Sequence, residues 1–143
     1  MATSLVRFAT LRQSQRDHAG AEPLFARALA VRQRLFLGDH VDVARSLFQL
    51  AFSHHALGRK AESLAGFGAA IAMERRLEPE GSPRLARVLW NVGRARHDDG
   101  ETAAALPLFE EAESMAARLL SPEHEHLAQY RSSLASCRAS LGR

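Results

Sequence analysis

The sequence predicts an all-α fold built from a repeated pair of helices. Phe25, Phe67 and Phe109 follow one another at an interval of 42 residues, with no insertion between them. The same interval relates three further sets of equivalent positions, and we call each such set a column. They are Val31, Met73 and Met115, then Arg34, Arg76 and Arg118, then Leu35, Leu77 and Leu119. Alanine, leucine and arginine, all strong helix formers, dominate the composition, and β-branched residues are few. Self-similarity at a fixed period is typical of stacked repeats, which usually present a binding surface and not a catalytic pocket.

Each 42-residue unit contains two predicted helices. The first helices cover residues 2–15, 41–57, 83–99 and 125–141, and the second helices cover residues 18–36, 60–78 and 102–120. Gly58, Gly100 and Gly142 follow three of the first helices, at the position where a glycine with positive φ ends a helix. Seven helices are therefore expected.

The connections and the helix starts are consistent with this layout. The longer loops after the second helices contain glycine and proline, which stop a helix. Asp39, Ser82 and Ser121 lie close to the next helix start, where short polar side chains act as N-caps. Pro23 and Pro107 fall in the first turns of second helices, where the missing N–H costs little.

Length and composition limit the classes of function. The chain has 143 residues, of which 46% are hydrophobic, so it can bury one continuous core but is too short for two conventional domains. The single Cys137 excludes an internal disulfide framework and favours a reducing, cytoplasmic compartment. No apolar run approaches ~18 residues, so no membrane-spanning helix is predicted. The net charge is only +3, with 18 arginines and Lys60 as the basic residues, and composition alone does not imply nucleic-acid binding.

Small residues recur where neighbouring helices would touch. One column contains Ala51, Gly93 and Ala135, and another contains Ala28, Ala70 and Ala112. The pattern G-x4-A-x3-F-x2-A spans residues 100–112, and L-x2-[LV]-[AG] precedes it over residues 89–93. These patterns resemble the tetratricopeptide repeat, whose usual unit has ~34 residues. The additional length, together with the segments 37–51 and 120–135, is similar to the longer repeats of kinesin light chains.

The resemblance covers almost the whole chain and implies an α-solenoid of seven antiparallel helices in a right-handed superhelix. It implies a single domain, 1–143, with units of about 1–40, 41–82 and 83–124 and a C-terminal capping helix, 125–143. The polar residues of the last helix suit a cap, although a further second helix could equally follow it. HEAT and armadillo repeats have a similar period, but armadillo units need three helices and HEAT units lack the Gly-Ala-Phe-Ala series.

Two features depart from the family pattern. The family pattern has an aromatic residue three positions after the column of small residues that contains Ala51 and Gly93. At those positions this chain has Arg12, His54, Arg96 and Arg138. Gly66 and Gly68 flank Phe67 inside a predicted helix, and each costs about 1 kcal/mol relative to alanine. The middle unit is therefore expected either to pack more closely than its neighbours or to be looser.

The candidate site comes from the first helices, because these line the concave face in tetratricopeptide folds. Their non-core positions are rich in arginine and aromatic residues and contain almost no acidic residue. The candidate peptide-binding residues are Arg45, Phe48, Gln49, Phe52, Arg87, Trp90, Asn91 and Arg94. Arginine mixed with aromatic residues is the usual composition of interface hot spots. The sequence therefore predicts a non-catalytic module that binds a peptide or partner segment of acidic and hydrophobic character.

Each class of residue has an expected role. The three arginines would pair with carboxylates, which the guanidinium fork matches in bidentate geometry. Asn91 aligns with an asparagine that hydrogen-bonds the peptide backbone in kinesin-light-chain-like grooves, and Gln49 holds the same column with a different side chain. Phe48 and Trp90 would be apolar anchors, and the alternative is that they pack between neighbouring repeats.

The sequence contains no catalytic constellation and no cofactor motif. His54 and His55 are adjacent and so point apart on a helix, while His124 and His126 lack the i,i+4 spacing of a helical metal pair. Cys137 has serine and arginine neighbours but no base, and it is interpreted as an inert buried thiol. We expect no enzymatic activity, no metal and no cofactor.

Two other classes of function are also considered. Self-association into a homo-oligomer, through unpaired repeat ends or swapped helices, is the main alternative to peptide binding. Single-stranded nucleic-acid binding comes third, with Phe48 and Trp90 as stacking platforms on an arginine-lined face. Salt dependence would separate this third function from peptide binding, because phosphate binding falls steeply with ionic strength. No membrane partner is expected.

Overall fold

The computed structural model describes all 143 residues and contains seven α-helices and no β-strand. The helices are α1 (Ala2–Ser14), α2 (His18–Leu35), α3 (Val41–Ala56), α4 (Lys60–Leu77), α5 (Pro83–Asp98), α6 (Thr102–Leu119) and α7 (Glu125–Ser140). Each helix begins at the predicted residue and ends one residue earlier than predicted. The prediction of seven helices is confirmed. None of them combines the length and the apolar character that crossing a membrane requires.

The chain divides into two compact units, Met1–Leu77 and Glu78–Arg143. In the first unit, α1 packs on α2, α2 on α3, and α3 on α4. In the second unit, α5 packs on α6, α6 packs on α7, and α5 also touches α7. Within each unit, helices that are neighbours in sequence are also neighbours in space, as stacked repeats require. The single continuous domain over residues 1–143 stays a prediction.

Tight turns after the first helices contain a residue in the left-handed region. The φ angle is +75° at Gly58, +81° at Gly100 and +71° at Gly142, as the glycine pattern predicts. Arg16 occupies the corresponding position of the first repeat and adopts a φ of 62°. Arg16 is thus the one non-glycine residue that adopts this conformation, which glycine favours because it has no Cβ atom.

The N-caps agree only partly with the sequence prediction. Ser82 caps α5, since its hydroxyl accepts a hydrogen bond of 3.0 Å from the third following backbone N–H. For α3 and α7, however, the caps are His40 and His124, whose Nδ1 atoms accept backbone N–H groups at 3.0 Å and 3.1 Å. The expected cap roles of Asp39 and Ser121 are therefore wrong. Both carboxylate oxygens of Asp39 bind a guanidinium of α4, and the Ser121 carbonyl accepts the backbone N–H of His124.

The repeated phenylalanines lie in the core beside small residues. Phe25 is fully buried and packs with Ala9 and Ala21. Phe109 is 2% exposed, and a Cβ atom added to Gly93 would lie 2.9 Å from its ring. The small residues at positions such as Ala9 and Gly93 thus let the first helix of a repeat approach the phenylalanine ring of the second helix.

Ion pairs occupy the column where the family pattern has an aromatic residue. Arg12 pairs with Asp17 at 2.7 Å and Arg96 pairs with Glu101 at 3.0 Å, each across the turn between two helices. In the middle repeat, the Nε2 atom of His54 instead lies 3.2 Å and 3.4 Å from glutamate oxygens of α2 and α4. Electrostatic pairing therefore ties the helices together at this column, in place of aromatic packing.

Candidate functional site

In the unit Met1–Leu77, two of the predicted anchors on α3 belong to an aromatic cluster. The ring centroid of Phe48 lies 5.8 Å from that of buried Phe67 and 6.4 Å from that of Phe52. The Phe52 ring lies 6.4 Å from the ring of His55. Phe48 and Phe52 are both half-buried. Each ring therefore packs on the core with one part and leaves another part accessible to a partner.

The polar candidates on α3 differ in burial. Arg45 is exposed, and Gln49 lies one turn further along the helix and is half-buried. The Gln49 side-chain oxygen Oε1 is itself buried and has no hydrogen-bond partner in the protein. A buried acceptor without a donor costs about 1–3 kcal/mol, so a donor from a bound chain would relieve that cost.

On α5, three neighbours hold Trp90 in place. Its indole Nε1–H donates a hydrogen bond of 2.8 Å to the hydroxyl of Ser133 on α7. Its ring centroid lies 5.4 Å from that of Tyr130, and the guanidinium carbon of Arg94 lies 4.9 Å from the Trp90 centroid, within cation–π range. Trp90 is half-buried between α5 and α7. Because its polar edge is already bonded, Trp90 can offer a partner only the accessible part of its ring.

The side chain of Asn91 is held within its own helix. Its Nδ2 atom donates a hydrogen bond of 2.9 Å to the backbone carbonyl of Arg87. Asn91 is half-buried and follows Trp90 directly in the sequence. The contact of Asn91 with a peptide backbone, which the resemblance implies, stays a prediction.

A pocket of about 240 Å³ opens near the N-terminal ends of α5 and α7. Pro83, Arg84 and Arg87 line it from α5, and His126 lines it from α7. No carboxylate is among these lining residues, and the nearest one described is Glu125, whose Oε1 lies 4.0 Å from the His126 Nε2. Burial raises the pKa of Tyr130, whose ring stacks on His126, and the positive charge of Arg87 acts in the opposite direction. We call this pocket the basic pocket.

A second pocket, of about 250 Å³, lies further along α5 and α7. Its lining residues are Arg94, His97, Asp98, Phe109, Ser132, Ser133 and Ser136. They combine one guanidinium, one carboxylate, one imidazole and three hydroxyl groups, so both signs of charge are present. Arg94 and Asp98 are four residues apart on α5, and the Arg94 guanidinium lies over Trp90. We call this pocket the mixed pocket.

Sequence reasoning missed two residues of the basic pocket. Arg84 was not among the candidates, although it lies three residues before Arg87 and therefore on the same face of α5. His126 was rejected as a metal ligand because of its spacing to His124, and it was not among the candidates either. Its approach to α5 depends on the packing of α7, which no local pattern reveals.

Comparison with known proteins places the chain in a family. The family model for the tetratricopeptide repeat matches residues 1–76, which is more than half of the chain. The chain belongs to the tetratricopeptide repeat family. No curated protein matches it by sequence.

Solved structures show the same tetratricopeptide fold at low identity. The nearly identical TPR-like repeats of a protein described as a kinesin light chain, from Podosopora anserina, superpose with a TM-score of 0.86 at 20% identity. That match covers 98% of this chain and 66% of the other, and a variant of the same protein gives the same values. BtubC (BKLC) from P. vanneervenii superposes with a TM-score of 0.88 at 20% identity, covering 99% of this chain and 56% of the other.

The chain thus spans 66% or less of the lengths of these structures. The seven helices pack as TPR-like repeats resembling those of kinesin light chains. Tetratricopeptide modules generally serve as scaffolds for protein–protein interaction and are typically non-catalytic.

Proposed function

We propose that the chain binds a peptide or partner segment of acidic and hydrophobic character on the first helices of its repeats. The proposed contact residues are Arg45, Phe48, Gln49, Phe52, Arg87, Trp90, Asn91 and Arg94. The module is non-catalytic, needs no metal or cofactor, and acts in the cytoplasm.

The basic pocket is the observation that carries this proposal. Arg84 and Arg87 line it together with His126, and none of its lining residues is acidic. A carboxylate that enters the pocket meets the guanidinium of Arg87, which can bind it in bidentate geometry. Trp90 lies one turn beyond Arg87 with part of its ring accessible, so an apolar side chain next to the acid finds a surface.

Helix α3, in the part of the chain formed by Met1–Leu77, supports the same interpretation with different side chains. Phe48 and Phe52 expose part of their rings, and the buried Oε1 of Gln49 lacks a donor. An extended peptide carries a free backbone N–H at alternate residues, which is the kind of donor that this oxygen needs. Arg45, one turn away, is exposed and available to a carboxylate.

A peptide array tests the proposal directly. The probes are short synthetic peptides that combine glutamate with an aromatic or aliphatic residue, and each has a counterpart with lysine in place of glutamate. Wild type should retain acidic members and not their lysine counterparts. Arg87→Glu should weaken retention by about tenfold or more, because a repulsive carboxylate replaces a charge-assisted hydrogen bond.

Arg27→Glu is the matched control for charge. Arg27 is exposed on α2, a second helix, and its reversal changes the net charge by the same amount. It should leave retention unchanged, and both variants should keep the helical circular dichroism of wild type. Equal retention by wild type and Arg87→Glu would reject the basic pocket as the binding site. Steep loss of binding to single-stranded DNA with salt would instead support the nucleic-acid alternative.

Self-association remains the second candidate because α1 has an uncovered apolar face. Phe8 is 63% exposed and Leu11 is 54% exposed. The equivalent positions of α7 are Leu134 and Cys137, which are buried against α6. A second copy of the chain could cover the face of α1 in the same manner. Light scattering would show a dimer in wild type and a monomer in Phe8→Ser.

A further inference from the structure

Arg87 and Arg94 are seven residues apart and share one face of α5, but their surroundings differ. Arg87 lines the basic pocket, whose lining residues include a second arginine and a histidine but no carboxylate. Arg94 lines the mixed pocket, where Asp98 contributes a carboxylate and α7 contributes three serines. Two arginines that look equivalent in the sequence therefore face different chemistry.

The charges of the mixed pocket disfavour several kinds of ligand group. A carboxylate bound near Arg94 would meet repulsion from Asp98, and an ammonium bound near Asp98 would meet repulsion from Arg94. An apolar side chain would remove water from both charges and from the hydroxyl groups without replacing their hydrogen bonds. The lining is therefore best matched by a neutral group that both accepts and donates hydrogen bonds.

The hydrogen bonds within the protein determine which lining groups of the mixed pocket can still donate or accept a hydrogen bond. Trp90 donates to the Ser133 oxygen at 2.8 Å, so the Ser133 O–H is left to donate to another group. The Arg94 guanidinium lies over Trp90, on the same side of the pocket as Ser133. Asp98 lies one turn further along α5 and accepts only. Arg94 and Ser133 thus supply donors beside Trp90, and Asp98 supplies an acceptor one turn further along α5.

We propose that the mixed pocket binds the side-chain carboxamide of an asparagine or glutamine in the partner peptide. The carboxamide oxygen accepts from Arg94 and Ser133, and its NH2 group donates to Asp98. This proposal rests on the proposed function and adds a second specificity position to it.

The distance between the two pockets gives the spacing in the partner. Their α5 residues are about ten positions apart, which corresponds to ~15 Å along a helix. An extended peptide covers that distance in about four or five residues. The partner motif therefore pairs an acidic residue with an asparagine or glutamine at about that separation.

A four-member peptide panel tests this inference. Each synthetic peptide keeps one glutamate and an adjacent tryptophan, and a position about four or five residues away carries glutamine, glutamate, lysine or leucine. Dissociation constants are measured by fluorescence anisotropy. Wild type should bind the glutamine peptide about tenfold more tightly than the other three. Asp98→Asn should shift the preference to the glutamate peptide, and Arg94→Gln should shift it to the lysine peptide.

Asp99→Asn is the matched control, since Asp99 is the next residue and does not line the pocket. It should retain the preference for glutamine. Equal affinities for all four peptides, each lowered by Arg87→Glu, would overturn the carboxamide site and leave the proposed function intact. A wild-type preference for glutamate, lysine or leucine would also overturn it. Failure of wild type to bind any of the four would overturn both proposals.

Discussion

Gly66 of α4 lies directly against Ala51 of α3, and a Cβ atom built on Gly66 would be 2.7 Å from the Ala51 Cβ. Two residues later, a Cβ atom built on Gly68 would have no neighbour within 4 Å. The two glycines that flank Phe67 therefore differ in role. At Gly66 the middle repeat packs more closely than a side chain would allow, whereas Gly68 leaves open space.

Alanine substitutions should consequently have opposite effects at these two glycines. Gly66→Ala should lower the free energy of unfolding by roughly 1–3 kcal/mol, because α3 and α4 must move apart. Gly68→Ala should raise it by about 0.5–1 kcal/mol, since alanine has the higher helix propensity and loses less backbone entropy on folding. Urea unfolding followed by circular dichroism measures both changes. Stabilisation by both substitutions would show that the close contact at Ala51 does not exist.

Arg16 and Gly58 occupy the same left-handed turn position in successive repeats, so exchanging arginine for glycine and glycine for alanine there should change stability in opposite directions. Arg16→Gly should raise the free energy of unfolding by about 1 kcal/mol, because a left-handed conformation is strained with a Cβ atom. Gly58→Ala, at the same position of the next repeat, should lower it by a similar amount. Thermal unfolding of the two variants gives the comparison. A destabilised Arg16→Gly protein would contradict the assigned turn conformation.

The hydrogen bond from Trp90 to Ser133 should be visible in fluorescence. Trp90 is the single tryptophan of the chain, so the emission reports on this site alone. Ser133→Ala leaves the half-buried indole N–H without its partner and should cost about 1 kcal/mol of stability. The emission maximum should shift as well. Ser132→Ala, one residue away on an exposed position, should change neither quantity, and an unchanged emission in Ser133→Ala would argue against the bond.

The pair between Arg76 and Asp39 should make the carboxylate resistant to protonation. The Arg76 side chain donates two hydrogen bonds, of 2.7 Å and 2.9 Å, and these hold the pKa of Asp39 below its ordinary value of 3.8. Because the folded-state pKa is the lower one, the stabilisation is complete above pH 3.8 and disappears as the pH falls through the lowered pKa. An NMR titration should find this lowered pKa in wild type and a value near 3.8 in Arg76→Gln. Identical values in the two proteins would contradict the pairing.

Local pattern predicted the helices well because a helix start or stop depends on residues within one or two turns. The caps of α3 and α7 were missed for a related reason. Asp39 has a side chain that can cap a helix and lies next to the N-cap position of α3, but its carboxylate is bound by Arg76, 37 residues later in the sequence. The basic pocket shows the same limit, since Arg84 could be found from its spacing to Arg87, whereas His126 reaches α5 only through the packing of α7.

The sequence by itself determined the seven helices, the glycine turns and the family, because these follow from short-range periodicity and from a 42-residue repeat of the same packing surface. Only the tertiary structure decided which of two similar residues has which role. Gly66 differs from Gly68 because α3 approaches one of them, and Arg87 differs from Arg94 because Asp98 and the serines of α7 surround the second. Such differences depend on side chains that folding brings together from distant positions, and the repeat period contains no information about them.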